Sequence, residues 1–173
     1  MANRAPGIAC IGFIGKANNP LHISLFPPKE RDYLQYSFML SSCLDLFELR
    51  MPHKTADQDF GLLQAIDERL AMYGWLTNTG VKIVIVVDME GKPAPADLKN
   101  QNILGLRDSD LKPAFKALQS AYINLLRNPF YNPDDHAPAP GVKRSGPTHI
   151  TSPRFIKEVQ RIGEAWAPGV TSL

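Results

Sequence analysis

The run Val81-Lys-Ile-Val-Ile-Val-Val87 constrains the fold of this chain more than any other, because every residue in it except Lys82 is β-branched. A strand with one wet face alternates apolar and polar residues, whereas one apolar at nearly every position is covered on both faces. Thr77-Asn78-Thr79-Gly80 lies just before the run and is rich in residues that tolerate turn geometry; a second strand-like run, from Met72, leads into it. The expectation is a sheet forming a central layer with helices on each side. No catalytic residue type is concentrated in that layer.

The remaining elements follow from the same periodicities. Ile8 to Gly15 reads as a covered first strand, Asn18-Asn19-Pro20 as a turn, and Leu21 to Phe26 as a half-buried strand. The short link between them implies an antiparallel hairpin. After Pro27-Pro28, Asp32 is placed to cap a helix whose stripe is Tyr33, Tyr36, Leu40, Leu44, Phe47 and Met51, widened by Leu34 and Phe38; Pro52 stops it. Phe60 to Ile66, Arg69 to Thr77 and Val81 to Asp88 read as strands three to five. Leu111, Phe115, Leu118, Tyr122 and Leu125 mark a second helix, with Ser109 or Asp110 as cap and Pro113 in its first turn. Ser152-Pro153 opens a third, with Ile156, Val159, Ile162 and Trp166 as its apolar face. The order is β-β-α-β-β-β-α-α, in a single domain over residues 1–173, with surface loops expected at 90–106 and 134–151.

Composition narrows the function classes. The 173 residues suffice for one buried core, and 44% hydrophobic with 21% charged residues is ordinary for a soluble globular protein. A net charge of +2, with Lys and Arg interleaved with acids, does not argue for nucleic acid or an anionic membrane as the main partner. Cys10 and Cys43 read as small buried hydrophobes rather than a disulfide framework. No secretory signal is apparent, and no run approaches the roughly 20 apolar residues that span a bilayer. The chain reads as cytoplasmic.

Signals of chemistry are sparse. His22, His53, His136 and His149 stand in no recognisable relation to a nucleophile, and no paired Cys or His has zinc-ligand spacing. Gly12-Phe-Ile-Gly-Lys16 lacks the Gly spacing and the hydroxyl residue of a phosphate loop and reads as a strand end. Asp57/Asp59, Asp67/Glu68 and Asp134/Asp135 fall in turns, where Asp bonds its own backbone. Trp75 and Phe115 read as core. No catalytic residue, cofactor-binding residue or metal ligand is assigned. Asp45 follows Leu44 in the middle of an apolar helix face, and either points to solvent or marks a contact. In Asn128-Pro-Phe-Tyr-Asn-Pro133, rigid prolines hold Phe130 and Tyr131 after a helix. These rings either anchor a partner or close the turn against the core.

Four separated segments resemble the TRAPP subunit 2-like proteins, relatives of sedlin. They are Tyr73-Gly-Trp-Leu-Thr-Asn-Thr-Gly-Val-Lys-Ile-Val-Ile-Val-Val-Asp88, Ser120-Ala-Tyr-Ile-Asn-Leu-Leu-Arg-Asn-Pro-Phe-Tyr-Asn-Pro133, Ser42-Cys-Leu-Asp-Leu-Phe-Glu48 and the Lys16-Ala-Asn-Asn-Pro-Leu21 core of Ile11 to Ile23. They fall in the family's order and cover nearly the whole chain outside the two loops. The loops at 90–106 and 134–151 are longer than expected for the family and Met51 to Asp59 is shorter, which points to a fungal-type member. The resemblance implies a longin/profilin-like α+β (layered α/β) fold: a five-stranded antiparallel sheet with one helix on one face and two on the other. It also implies a non-catalytic assembly or adaptor subunit of the TRAPP vesicle-tethering complex, a nucleotide exchange factor for Rab GTPases in ER-to-Golgi and Golgi transport. Its partners would be other TRAPP subunits, with the Rab reached through the complex. It would sit at Golgi and ER-Golgi membranes peripherally, through the complex. Asp45 falls on the acidic position of the family's Leu-Asp motif. A longin-type domain of a clathrin-adaptor or SNARE relative is the first alternative, although the heptads and anchor of a SNARE are absent. A small α/β ligand-binding protein or enzyme is the second.

Overall fold

Strand β5, Lys82–Pro93, lies inside the sheet and sorts its side chains between two cores. Ile83, Ile85 and Val87 enter one cluster, and Val84 and Val86 the other, so the period of two places alternate residues on opposite faces. The computed structural model describes residues 4–27, 32–51, 58–94, 106–136, 141 and 146–173. Pro28, Pro52, His53 and Asp57 lie outside them.

Around β5 the sheet runs β2-β1-β5-β4-β3, all neighbours antiparallel, with β1 at Arg4–Ile14, β2 at Pro20–Leu25, β3 at Asp59–Ala65 and β4 at Leu70–Leu76. One helix, α1 (Tyr33–Arg50), covers one face with Tyr36, Leu40, Cys43 and Phe47. Two helices, α2 (Lys112–Leu126) and α3 (Pro153–Ala165), cover the other with Phe115, Leu118, Tyr122, Phe155, Val159 and Ile162. This is the expected order and layering. At the β4–β5 turn Gly80 holds φ +85°, a conformation that glycine adopts without a Cβ clash. Gly163 lets α3 close on the end of β2: a Cβ there would overlap the Phe26 ring.

Several boundaries differ from expectation. β1 begins at Arg4 rather than Ile8, and β5 continues to Pro93, because Arg4 pairs with Pro93 and Ala5 with Lys92. Pro6 is accommodated because the register shifts between Ala5 and Gly7. Residues 90–93 of the expected first loop are therefore strand, and 95–105 lie outside the described residues. In the second loop Ile150 is buried, and its N–H donates to Leu21 O (2.8 Å) along the outer edge of β2. Before α2 a 3-10 turn, Asp108–Leu111, takes the place of a Ser109 or Asp110 cap. The Asp110 carboxylate accepts from Arg107 N (2.9 Å), and its carbonyl accepts from Trp166 Nε1 (3.0 Å).

The largest correction concerns α1. Leu34 and Phe38 do not widen its buried stripe; they are 69% and 67% exposed. At 3.6 residues per turn, positions 34 and 38 lie about half a turn from 36, 40, 43 and 47.

Candidate functional site

The side chains that the fold leaves unused are concentrated on the outside of α1. Leu34, Phe38, Asp45 and Leu49 are spaced four, seven and four apart, which aligns them along one face of the helix. Leu49 is 70% exposed, and Tyr33 extends the apolar surface at the N-terminal end. Asp45 points to solvent, with no hydrogen bond or ion pair among the described residues. The serines before it bond back to the helix, Ser41 Oγ to Ser37 O (3.0 Å) and Ser42 Oγ to Met39 O (2.7 Å), so neither holds the carboxylate. Beside this face a cavity of about 120 Å³ opens between α1 and the β1–β2 turn, lined by Tyr33, Ser37, Leu44, Asn18, Pro20 and Ile23 among others. Ser37 Oγ is buried there without a hydrogen-bond partner among the described residues.

The turn that borders this cavity is built to hold its shape. Asn18 sits at φ +61°, a conformation that Asn tolerates better than most residues. Its Oδ1 accepts from the buried Lys82 Nζ (2.9 Å), and its Nδ2 donates to Glu48 Oε1 on α1 (3.5 Å). Burial favours the neutral form of Lys82 and lowers its pKa, partly offset by Glu48. Asn19 Nδ2 donates to His136 O (2.9 Å), which ties the same turn to the segment after α2.

That segment separates Phe130 from Tyr131. Phe130 N donates to Asn128 Oδ1 and Tyr131 N to Asn128 O, both at 3.1 Å. Asp134 N donates to Asn132 Oδ1 (3.1 Å), so two Asx turns follow one another. Tyr131 turns inward against the core, its ring 5.6 Å from that of His136, and burial raises its phenol pKa. Phe130 turns outward and is 95% exposed. The structure does not bring Asp45 and Phe130 together: α1 and α2 lie on opposite faces of the sheet.

The other residues weighed from sequence are structural. Trp75 and Phe115 are buried and stacked, ring centres 5.5 Å apart. Cys10 and Cys43 are buried free thiols; burial pushes Cys43 up to about 12 and Cys10 in the same direction. Asp67 Oδ1 accepts from the N–H groups of Arg69 and Leu70, and Asp59 Oδ1 from that of Gly61. Lys16 stands exposed in the turn after β1. Among the described residues no group of three or more His, Cys, Asp or Glu is placed to hold a metal ion, and no helix is long and apolar enough to cross a membrane. Sequence reasoning missed Leu49 and misplaced Tyr33, Leu34 and Phe38. The signal was present in the 34–38 and 45–49 spacings, which form a second stripe.

Comparisons with known proteins agree with the fold. The family described as Sedlin matches residues 13–165. The Trafficking protein particle complex subunit 2-like protein of Dictyostelium discoideum is 31% identical over 163 residues, covering 90% of this chain and 95% of that protein. The proteins of the same name from Bos taurus and Mus musculus are 31% and 32% identical over 132 residues, covering 73% of this chain and 84% of each.

Proposed function

The chain belongs to the sedlin family, and from that premise we propose that it is a non-catalytic assembly or adaptor subunit of the TRAPP vesicle-tethering complex. In this reading it serves ER-to-Golgi and Golgi transport as part of a Rab guanine-nucleotide exchange factor. It sits on the cytoplasmic side of those membranes, held there through the complex, and reaches the Rab through its neighbours.

The observation that carries this reading is the outer face of α1. Leu34, Phe38 and Leu49 leave large apolar side chains in water although the same helix already buries a full stripe. Apolar surface of this kind, with an unpaired carboxylate among it, suits contact with another folded protein. Asp45 supplies specificity, because a carboxylate buried at an interface needs a donor on the partner. Phe130, held outward by Tyr131, is a second contact point on the other helical layer.

Affinity capture of the tagged full chain from its native cell tests the proposal. Other TRAPP subunits are expected to co-purify, and Asp45→Ala is expected to weaken their retention while the melting temperature holds. Capture free of any TRAPP subunit would overturn the reading. A melting temperature that collapses in parallel with binding would place Asp45 in the fold instead. The chain alone is expected to show no nucleotide-exchange activity.

A further inference from the structure

Along the sequence the cations alternate with acids, but the fold separates them. The outer stripe of α2 is Lys112, Lys116, Ser120, Ile123 and, at the helix end, Arg127; these residues fall within about a quarter of the helix circumference and include no acid. The adjoining helix α3 directs Arg154, Lys157 and Arg161 outward beside Glu158 and Glu164. The two helices with Arg127 thus carry six cations against two acids, whereas α1 carries Asp45 and Glu48 against Arg50. Lys112 is drawn toward Asp59 at 3.9 Å, and Arg161 is paired with Glu158 at 2.6 Å. Lys116, Arg127 and Lys157 make no ion pair among the described residues.

We propose that the α2/α3 face, with Phe130 at its edge, is a docking surface for an anionic lipid bilayer. This rests on the subunit reading above and names the partner of its second contact point. The cations are spread along a helix about 20 Å long and onto its neighbour. A flat array of that kind matches a plane of acidic headgroups. Between Arg127 and Arg154 lies an open depression of about 560 Å³, also lined by Asn124, Asn128, Ser152 and Glu158. The apolar members fit the same partner. Ile123 is part-exposed on the α2 stripe, and the ring of Phe130 projects from a turn fixed by two prolines, three residues beyond Arg127. An aromatic ring at the edge of a basic face enters the headgroup region, a gain that a nucleic-acid backbone does not offer. Of the acids near this face, Glu158 lines the same depression but is paired with Arg161, Glu164 is exposed on α3, and Asp134 lines a separate depression with Lys16 and Thr79 at the end of the sheet.

The test is co-sedimentation of the purified full chain with vesicles of phosphatidylcholine alone or mixed with phosphatidylserine. Binding is expected to the mixed vesicles only, and to disappear as salt is raised. Lys116→Ala and Arg127→Ala are each expected to lower partitioning about fivefold. Phe130→Ser lowers it at every salt concentration at which wild type binds, while Asp45→Ala leaves it unchanged. No binding to acidic vesicles overturns the proposal, as does equal binding by wild type and a Lys116→Glu/Arg127→Glu/Lys157→Glu variant. So does loss of co-purifying TRAPP subunits from that variant with no change in vesicle binding, which would assign the face to protein. Because these side chains are exposed, folding of each variant is checked by its melting temperature. Failure of Asp45→Ala to affect subunit capture bears on the subunit reading and leaves the vesicle result intact.

Discussion

The two helical layers answer the same problem differently. On α2 and α3 nearly all the large apolar side chains face the sheet, and apart from Ile123 what remains outside is mostly charged, polar or small. On α1 the sheet takes Tyr36, Leu40, Cys43 and Phe47, yet Leu34, Phe38 and Leu49 remain in water about half a turn away. The α2/α3 layer is complete as a folded layer, while α1 is covered on one side and, among the described residues, lacks a cover on the other. A helix apolar on both faces gains nothing in the isolated chain from its outer residues. Their presence therefore argues for a protein neighbour on α1, and the charge separation argues for a different kind of partner on α2/α3.

The sharpest way to break this comparison is to remove the same side chain from both faces of α1. Phe47 is fully buried, its ring 4.9 Å from that of Phe60, so Phe47→Ala is expected to cost about 3–5 kcal/mol in urea denaturation. Phe38→Ala is expected to stay within about 0.5 kcal/mol while weakening subunit capture. Equal destabilisation by the two changes would mean that Phe38 supports the fold. On the opposite layer, Trp166→Ala belongs with Phe47: the indole is buried and bonded to Asp110 O, and a loss of about 3–5 kcal/mol is expected.

How much of this was legible in the sequence depends on the range of the interaction. The strand period made β5 readable as doubly covered, and the layers followed from it. Helix spacing was less decisive on α1, because residues three and four apart satisfy a stripe wherever it points. With two apolar stripes on one helix, the pattern alone does not say which is buried. Phe130 and Tyr131 are adjacent in a turn with no period, so only the Asx bonds and the His136 contact separate them. Asp45 could be picked out as unusual from its position, but its exposure depends on packing. The sorting of Lys and Arg onto α2/α3 needed the positions of two helices that are far apart in sequence.

Acid is expected to loosen the α2/α3 layer. His22 on β2 packs edge-on against Phe155 of α3, and Ser24 Oγ lies 2.7 Å from its Nε2. Burial, with a smaller effect from His149, lowers its pKa from 6.5 to about 4. The unfolded chain therefore takes up the proton first as pH falls below about 6.5. Stability is present above that value, is lost between about 6.5 and about 4, and levels off below. The loss attributable to this group is at most about 3 kcal/mol. Urea midpoints measured across that range should fall less steeply for His22→Gln than for wild type. Identical slopes would remove His22 as the cause.

A smaller loss than those of Phe47, Trp166 and His22 links α1 to the sheet by another route. Arg50, in its last turn, donates to three carbonyls of the edge strand β3: Phe60 (3.2 Å), Leu62 (2.6 Å) and Leu63 (3.1 Å). Phe60 and Leu63 fall at the two register shifts of β3. The guanidinium thus binds carbonyls at both irregularities of the ladder and lies along an edge strand, where another strand could add. Arg50→Ala is expected to cost about 1–2 kcal/mol, because water replaces the lost donors in part. It should also raise concentration-dependent self-association in analytical ultracentrifugation. Arg50→Lys is expected to recover little, since an ammonium group lacks the planar fork that reaches three carbonyls at once. If Arg50→Ala is neutral in both stability and association, the bulges alone keep β3 closed, and what α1 contributes to the fold is confined to its inner face.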